Sequence, residues 1–419
     1  MTTFFIKTFG CKINQYDSEL LKKFLEKKGL KYSEFINADV VIVNGCSVTA
    51  NSERKARQFI RKIKRKNPHS KIILTGCYAK RLFLSKESLN EGIKVLDIKD
   101  LSSLCKALNL SINKNFYPIE GLSEHTRTFI KIQEGCDNFC SYCIIPFLRG
   151  KPKSRVPADI FRELEKIQNK GIKEIVLSGI HLGKYGYDLK NENVNLSSLL
   201  KNILENFDFP RVRLSSIEPM EITDELIEIV ASSDRICKHL HIPLQSGSDI
   251  ILKKMNRPYT RKDYLSLINK IIKKIPDLGI STDIIVGFPG ESESDFYATV
   301  DVLKQIDFVR IHIFPYSDRP FTKASKMPNK LHRDIIKKRI KVLKQHAYQS
   351  RLRFHSKFIG KKLKILIENY KNLFSYGYSD NYIHVIVEKN INPNTIIMAI
   401  AKKIVNINND IFISCEFES

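Results

Sequence analysis

The sequence predicts an α/β protein in three parts: an N-terminal parallel-sheet α/β domain (1–120), a central partial (β/α)6 barrel (126–356) and a small C-terminal β-barrel (358–419). Three observations carry this. Apolar strands alternate with helical patterns in the first third of the chain. Six more strand-like runs, most followed by a helical pattern, fill about 200 residues after that. From Gly360 the pattern changes to period-two alternation with turn signals between runs.

In the first part the strands are FFIKTF, DVVIVN and KIILTG, and each leaves through Gly-Cys, at Cys11, Cys46 and Cys77. The helical patterns SELLKKFLEKKG and SERKARQFIRKIKRKN lie between them, with Asn51 or Ser52 expected to cap the second. Cys11 to Cys46 is 35 residues and Cys46 to Cys77 is 31, the length of one strand plus its crossover helix. Such units build a parallel sheet whose strand C-termini share an edge, where ligands bind. The three thiols are therefore expected to converge there. Three unrelated buried cysteines are the plainer reading, and the repetition argues against it.

A polar segment near SINKNFYPIEGLSEHTR reads as a linker. The six strands of the second part are FIKIQEG (129–135), EIVLSGI (174–180), RVRLSSI (211–217), HLHIPLQ (239–245), ISTDIIVGF (280–288) and VRIHIFPYS (309–317). Chemistry in such barrels sits at strand C-termini, which here are rich in glycine and polar residues. Residues 330–358 form a basic helical pattern. The alternating runs KKLKILIEN, YIHVIVE, TIIMAIAKKIV and DIFISCE then predict the terminal β-barrel of about 60 residues.

The 419 residues fit two or three domains, and 42% hydrophobic content is ordinary for globular chains. No apolar run approaches the ~20 residues of a membrane-spanning helix. MTTFFIKTFGC reads as a first strand rather than a signal peptide, so a cytoplasmic location with reduced thiols is expected. Nine cysteines, an odd number, favour metal binding or catalysis over a disulfide framework. The net charge of +25 and pI near 9.5 point to a polyanionic partner, most simply nucleic acid. A lysine-rich compositional bias is the plainer explanation.

EGCDNFCSYC places Cys136, Cys140 and Cys143 in a C-x3-C-x2-C run after the first barrel strand. Three thiolates so spaced can bind three irons of a 4Fe-4S cluster, leaving the fourth iron open. An open position marks a catalytic metal centre. Structural zinc wants four ligands, and no second pair stands near this run, though His125 is close in sequence.

This run in the first loop of a partial barrel resembles the radical S-adenosylmethionine (SAM) superfamily. The order of three Gly-Cys strand ends, that run and a C-terminal β-barrel resembles the methylthiotransferase family over essentially the whole chain. The resemblance implies two 4Fe-4S clusters, a radical-generating one on Cys136, Cys140 and Cys143 and an auxiliary one on Cys11, Cys46 and Cys77. It implies SAM as cosubstrate, cleaved to a 5′-deoxyadenosyl radical, and a TRAM-like RNA-binding terminal barrel. Sulfur insertion at an aromatic C–H offers neither acidic proton nor leaving group, which is why a radical cofactor would carry it.

GCKINQYDSE, LSGIHLGKYG and HLHIPLQSGS resemble most closely the subclass acting on N6-threonylcarbamoyladenosine of tRNA. The isopentenyladenosine subclass usually has Gln-Asn where Ile180-His181 stand. The subclass acting on a ribosomal protein usually has Pro-Lys-Asn where Lys12-Ile13-Asn14 stand. Gly45-Cys46-Ser47 departs from the family's common Thr-Cys-Thr but keeps the thiol. The resemblance further implies ANN-decoding tRNAs as substrate, an electron donor such as flavodoxin or ferredoxin, and a sulfur donor. It places Tyr142 near adenine and lets the SAM amino group approach Gly179; Glu218 and Gln245, at later strand ends, are candidate SAM or substrate contacts by position. A non-catalytic RNA-binding iron–sulfur protein is the rival reading.

Cations of RKARQFIRKIKRK (54–66) and of the 330–358 helix are candidate phosphate contacts, whereas Phe59, Ile60 and Ile63 share a core-facing stripe. His181, His239 and His241 are expected in structural or substrate-contact roles. His239 and His241 should share one side of a strand, which could be the barrel interior. Cys105, Cys237 and Cys415 read as ordinary thiols.

Overall fold

Val40–Gly45 is buried at every position, which is why it reads as an unbroken apolar run. It is the middle strand, β3, of a five-stranded sheet with β1 (Thr3–Thr8), β2 (Lys31–Tyr32), β4 (Lys71–Thr75) and β5 (Ile93–Val95) in the order β2-β1-β3-β4-β5. Every pairing is parallel. Helices α1 (Lys12–Lys27), α2 (Ala50–Lys66), α3 (Gly76–Ser85) and α4 (Leu101–Leu108) complete the βα units. One sheet face packs Phe4, Leu21, Phe24, Leu25, Ile42 and Ile73. The other packs Val41, Val43, Ala56, Ile60, Ile63 and Leu74.

The computed structural model describes residues 1–89, 92–111, 126–190, 194–407 and 410–417. Most of the proposed linker segment, and His125, lie outside them. Among the described residues no helix is long and apolar enough to cross a membrane. The chain falls into two units, one of Met1–Leu122, Gly135–Lys151 and Ser317–Ser325, the other of Ser123–Glu134, Pro152–Tyr316 and Lys326–Ser419. The C-x3-C-x2-C loop therefore belongs to the same unit as the N-terminal sheet.

Two details of the first unit differ from expectation. α1 begins at Lys12, directly after Cys11, and not near Ser18. α2 is capped by Thr49, whose hydroxyl accepts from the Ser52 N–H. Thr, Ser and Asn are all good caps, so the sequence could not choose among neighbours. Ile60 and Ile63 are buried and Phe59 packs beside them, with its ring against Phe5, Phe9 and Phe35.

In the second unit the six expected strands are present: β6 (Arg127–Lys131), then Glu174–Ser178, Arg211–Leu214, His239–His241, Gly279–Val286 and Arg310–Pro315. They form two three-stranded parallel sheets in chain order. Single bridges Val212↔Ile236 and Ser216↔His241 join the two into an open (β/α) barrel wall. Its core is almost wholly Ile, Leu, Val and Phe.

The terminal segment is a closed barrel of five strands, Lys362–Lys371, Phe374–Ser379, His384–Val387, Asp410–Phe417 and Ile396–Ile407, in that spatial order. Phe374–Ser379 was not expected from the pattern. Its inward residues are Ser375, Gly377 and Ser379, so apolar alternation is missing. Gly377 is required there, because a Cβ would stand 2.2 Å from the Leu366 carbonyl oxygen.

This barrel docks on the N-terminal ends of the central strands through buried charge. Glu174 is fully buried and forms ion pairs with Arg211, whose Nε stands 2.7 Å away, and with Arg213, whose Nε donates to it at 2.8 Å. The same guanidiniums donate to the Tyr378, Ser379 and Asp380 carbonyls. Arg127 pairs with Glu368. The long helix Arg333–Ser356 uses Arg339, Arg351 and Arg353 in ion pairs with Glu291, Asp410 and Asp307, so much of its basic character is spent within the fold.

Candidate iron–sulfur centres

Register brings the first three cysteines to one edge. Thr8 pairs with Asn44, and Asn44 with Thr75, so the three strands end level. Gly45 and Gly76 continue as a bridge, and Phe9 N–H donates to the Asn44 carbonyl at 2.9 Å. Cys11 then caps α1, Cys46 opens the loop before α2, and Cys77 sits in the first turn of α3. Helix N-termini favour thiolate, the form that binds iron.

The glycines are dictated by crowding. A Cβ on Gly10 would lie 2.5 Å from the Cys46 Cβ and 2.9 Å from its sulfur. Gly76 has φ +78°, and a Cβ there would lie 2.1 Å from Asn44 Oδ1. Asn44 in turn donates to the Asn14 carbonyl and the Ser18 hydroxyl, tying β3 to α1.

Cys11 is exposed, while Cys46 and Cys77 are buried. Burial pushes the Cys46 thiol up to about 12, a Val48 N–H to its sulfur opposes this, and repulsion from Cys77 and Cys11 adds to it. Burial likewise raises Cys77, against the pull of Arg149. Three sulfurs that repel one another, two of them buried, are suited to a cationic metal group, whose charge reverses that balance. The residues present fit a cluster.

The second trio lies in a loop whose ends are pinned together. Cys136 N–H donates to the Gly150 carbonyl at 2.9 Å. Gly135 has φ +79°, and a Cβ there would strike the Lys151 carbonyl oxygen at 2.1 Å. Cys143 N–H donates to the Cys140 carbonyl at 2.9 Å, closing a turn over Ser141 and Tyr142. Ser141 is buried and its carbonyl accepts from Ala324 N–H at 2.7 Å. All three thiols are partly exposed. Among the described residues no three His, Cys, Asp or Glu side chains converge tightly enough for a single metal ion. Cysteines of a cluster each hold a different iron and stand further apart than that.

The loop's last helix, α5 (Ile145–Arg149), packs beside one cysteine of the first trio: Ile144 and Leu148 cluster with Cys77. Arg149 Nε donates to the Cys77 sulfur at 3.3 Å, and its terminal nitrogens reach Asp17 and Asn14. Asp17 and Arg149 are both buried, with 7% and 6% of their side chains exposed. Beside Cys46, Ser47 and the buried Glu53 are joined to Arg319, and Glu53 also forms an ion pair with Arg81, 2.9 Å from its Nε. Arg149, Asp17, Glu53 and Arg319 escaped sequence analysis, because nothing in local spacing marks a contact over such separations.

The four expected SAM contacts are placed as follows. Tyr142 is half-buried in the turn between Cys140 and Cys143. In the second unit, Gly179 follows Glu174–Ser178, and a Cβ there would meet Gln133 Oε1 at 3.0 Å. Glu218 forms an ion pair with the buried Arg257. Gln245 is buried at φ +64°, its backbone bonded to Asp283 and Ile285 across the next strand. All three stand at C-terminal ends of strands. The histidines are held by the protein: His181 N–H donates to Gln133 and its ring pairs with Glu221. His239 and His241 do share one side, both bonding Ser281 Oγ at 2.9 Å, and His239 stacks on Tyr382.

Comparison with known proteins gives two family matches: "Radical SAM superfamily" over residues 130–303 and "Uncharacterized protein family UPF0004" over residues 3–98. The chain is 38% identical over 399 residues to a protein of Thermotoga maritima named threonylcarbamoyladenosine tRNA methylthiotransferase MtaB, covering 91% of each. It is 36% identical to the Bacillus subtilis protein of the same name, covering 92% of this chain and 90% of that one. It is 37% identical to a Clostridium botulinum tRNA-2-methylthio-N(6)-dimethylallyladenosine synthase, covering 87% and 86%. Among solved structures, the radical SAM methyltransferase TsrM of Kitasatospora setae superposes with a TM-score of 0.52 at 16% identity over 77% of each chain, a likeness of fold.

Proposed function

The chain belongs to the radical SAM methylthiotransferases of tRNA, and we propose that it inserts a methylthio group at C2 of N6-threonylcarbamoyladenosine beside the anticodon. It is an enzyme of that class and uses SAM and two 4Fe-4S clusters. The observation that carries the proposal is the level ending of β1, β3 and β4. It gathers Cys11, Cys46 and Cys77 at one edge, in the unit that also holds the C-x3-C-x2-C loop.

In this reading Cys136, Cys140 and Cys143 hold the cluster that binds SAM, and Cys11, Cys46 and Cys77 hold the auxiliary cluster. When bound, these groups supply a 5′-deoxyadenosyl radical and the sulfur to be transferred. The chain's own part is positioning. The pinned ends of the 135–151 loop fix the first trio, while Gly10, Gly45 and Gly76 let three backbones come close enough to present the second. Arg149 bridges the two sets, donating to a sulfur of one from the loop of the other. Tyr142 and Gly179 would flank SAM, and Glu218 and Gln245 would contact SAM or the base. Residues 1–120 would serve sulfur transfer, 126–356 SAM cleavage and 358–419 the RNA. A flavodoxin- or ferredoxin-type protein would supply electrons, and a sulfur donor of unknown identity would reload the auxiliary cluster.

Ile180-His181, in place of the Gln-Asn usual in the isopentenyl subclass, supports the threonylcarbamoyl base. Mass spectrometry of nucleosides from tRNA of a strain lacking the gene tests this. Loss of the 2-methylthio-threonylcarbamoyl nucleoside with accumulation of its precursor is expected. Loss of the methylthio-isopentenyl nucleoside instead would keep the chemistry and refute the substrate.

A further inference from the structure

Three phenylalanines stand exposed at the 135–151 loop. Phe139 lies between Cys136 and Cys140, Phe147 lies in α5, and Phe321 lies on the 317–325 segment. Their exposures are 49%, 40% and 40%. Their rings touch in series, Phe139 to Phe147 at 6.0 Å and Phe147 to Phe321 at 6.1 Å between centroids. Phe139 and Phe321 have φ of +44° and +69°, a backbone region that bulky residues rarely occupy. Strained, exposed aromatics persist where surrounding structure holds them, and such strain gathers at ligand-binding sites. Here the holding is visible. Arg319 is anchored on Glu53, Thr322 Oγ1 donates to the Arg319 carbonyl at 2.8 Å, and Ala324 N–H donates to Ser141.

We propose that this ladder of rings is a stacking platform for unpaired anticodon-loop bases next to the adenosine being modified. The proposal rests on the tRNA substrate argued above. An adenine whose C2 must meet a radical has to leave the base stack, and its neighbours then lose a partner. Exposed aromatic faces replace that partner without reading sequence. Phe139 and Phe147 meet edge to face, with an interplanar angle of 80°, which leaves ring faces open to a flat base. Exposed cations of the same unit, Lys151, Lys323 and Arg54, Lys55, Arg61 and Lys62 of α2, suit the phosphates of such a loop.

The test uses the full chain with both clusters, under anaerobic conditions. The probe is an anticodon stem-loop RNA carrying threonylcarbamoyladenosine, with 2-aminopurine as its 3′ neighbour. Wild type should change the 2-aminopurine fluorescence on binding. Phe147→Leu/Phe321→Leu should bind about ten-fold more weakly and lose the fluorescence change, and Phe147→Tyr/Phe321→Tyr should restore both. Iron content and the cluster EPR spectrum serve as the control for an intact loop. Unchanged affinity and fluorescence in the Leu variant would overturn the platform. So would a Leu variant that loses turnover only with flavodoxin and keeps it with dithionite, because the surface would then belong to the electron carrier. A wild type that binds the RNA with the fluorescence change but makes no methylthio product would refute the proposed reaction and leave the platform standing.

Discussion

Replacing Arg149 by Met should weaken the first unit and lower the reduction potential of the auxiliary cluster. The guanidinium lies 3.3 Å from the Cys77 sulfur and 3.3 Å from Asp17 Oδ2 and also bonds Asn14 Oδ1. Arg149 and Asp17 are both more than nine-tenths buried. Removing one member of a buried pair strands the other charge, at a cost of about 3–5 kcal/mol. For a unit of this size that is roughly a 10 °C fall in Tm. Removing both charges should cost far less. The assay is a double-mutant cycle of Arg149→Met and Asp17→Asn, followed by thermal denaturation of anaerobic protein. A coupling of about 2 kcal/mol or more is expected, against the ~0.5 kcal/mol within which independent sites add. Additive effects would show that the pair does not stabilise the fold.

The potential gives an independent reading of the same contact. A hydrogen bond and a positive charge at a ligand sulfur favour the more negative, reduced cluster. Arg149→Met should therefore make the auxiliary cluster harder to reduce and leave the SAM-binding cluster near its wild-type potential. An EPR-monitored titration resolves the two. Equal shifts in both, or none, would refute the assignment of Cys77 as an auxiliary ligand.

Cys77→Ala should lose half the iron and still form 5′-deoxyadenosine from SAM; loss of all iron would contradict two separate sets of ligands. Gly76→Ala should lose auxiliary-cluster iron, because its Cβ would meet Asn44 Oδ1 at 2.1 Å, whereas Gly29→Ala has a similar φ, nothing within 4 Å, and should cost only about 1 kcal/mol of backbone strain. Equal iron in the two variants would refute the crowding argument. Burial alone would raise Glu174, but Arg213 and Arg211 outweigh it and hold the carboxyl at about 2. Its folded value is below its unfolded one, so the stability it contributes, about 3 kcal/mol, is present above pH 4.5 and lost as pH falls toward 2. Urea denaturation of Glu174→Gln should show a loss of that order at pH 7 and a flatter acid limb; a wild-type pH profile in the variant would refute it.

What the sequence revealed, it revealed through repetition and period. Three Gly-Cys exits at βα spacing are legible because parallel strands fed by similar crossovers end level, and Thr8, Asn44 and Thr75 do. Six barrel strands are legible because each is apolar and bounded by turn residues. Phe374–Ser379 was not, because its inward positions hold Ser and Gly, a pattern that resembles a turn. Arg149 was not, because its partners Cys77 and Asp17 are 72 and 132 residues away in the chain. A lone arginine three residues before Pro152 has no signature of its own. It acquires a role only when α5 is laid against α3, and that depends on Ile144 and Leu148 finding Cys77.

The same distinction bears on the basic charge. Read as composition, +25 suggests cations spread over the surface for a polyanion. Folded, many of the arginines face inward. Arg211 and Arg213 close the lower end of the central barrel against the terminal one, and Arg339, Arg351 and Arg353 fasten the long helix. A hydrophobic seam could join the two barrels more cheaply than a buried Glu174 with two guanidiniums. Charge pairs and directed bonds to three named carbonyls admit fewer orientations than an oily seam would. The terminal barrel is therefore held in one pose on the strands that end at Gly179, Glu218 and Gln245. An RNA gripped by that barrel would reach the strand ends in a fixed register.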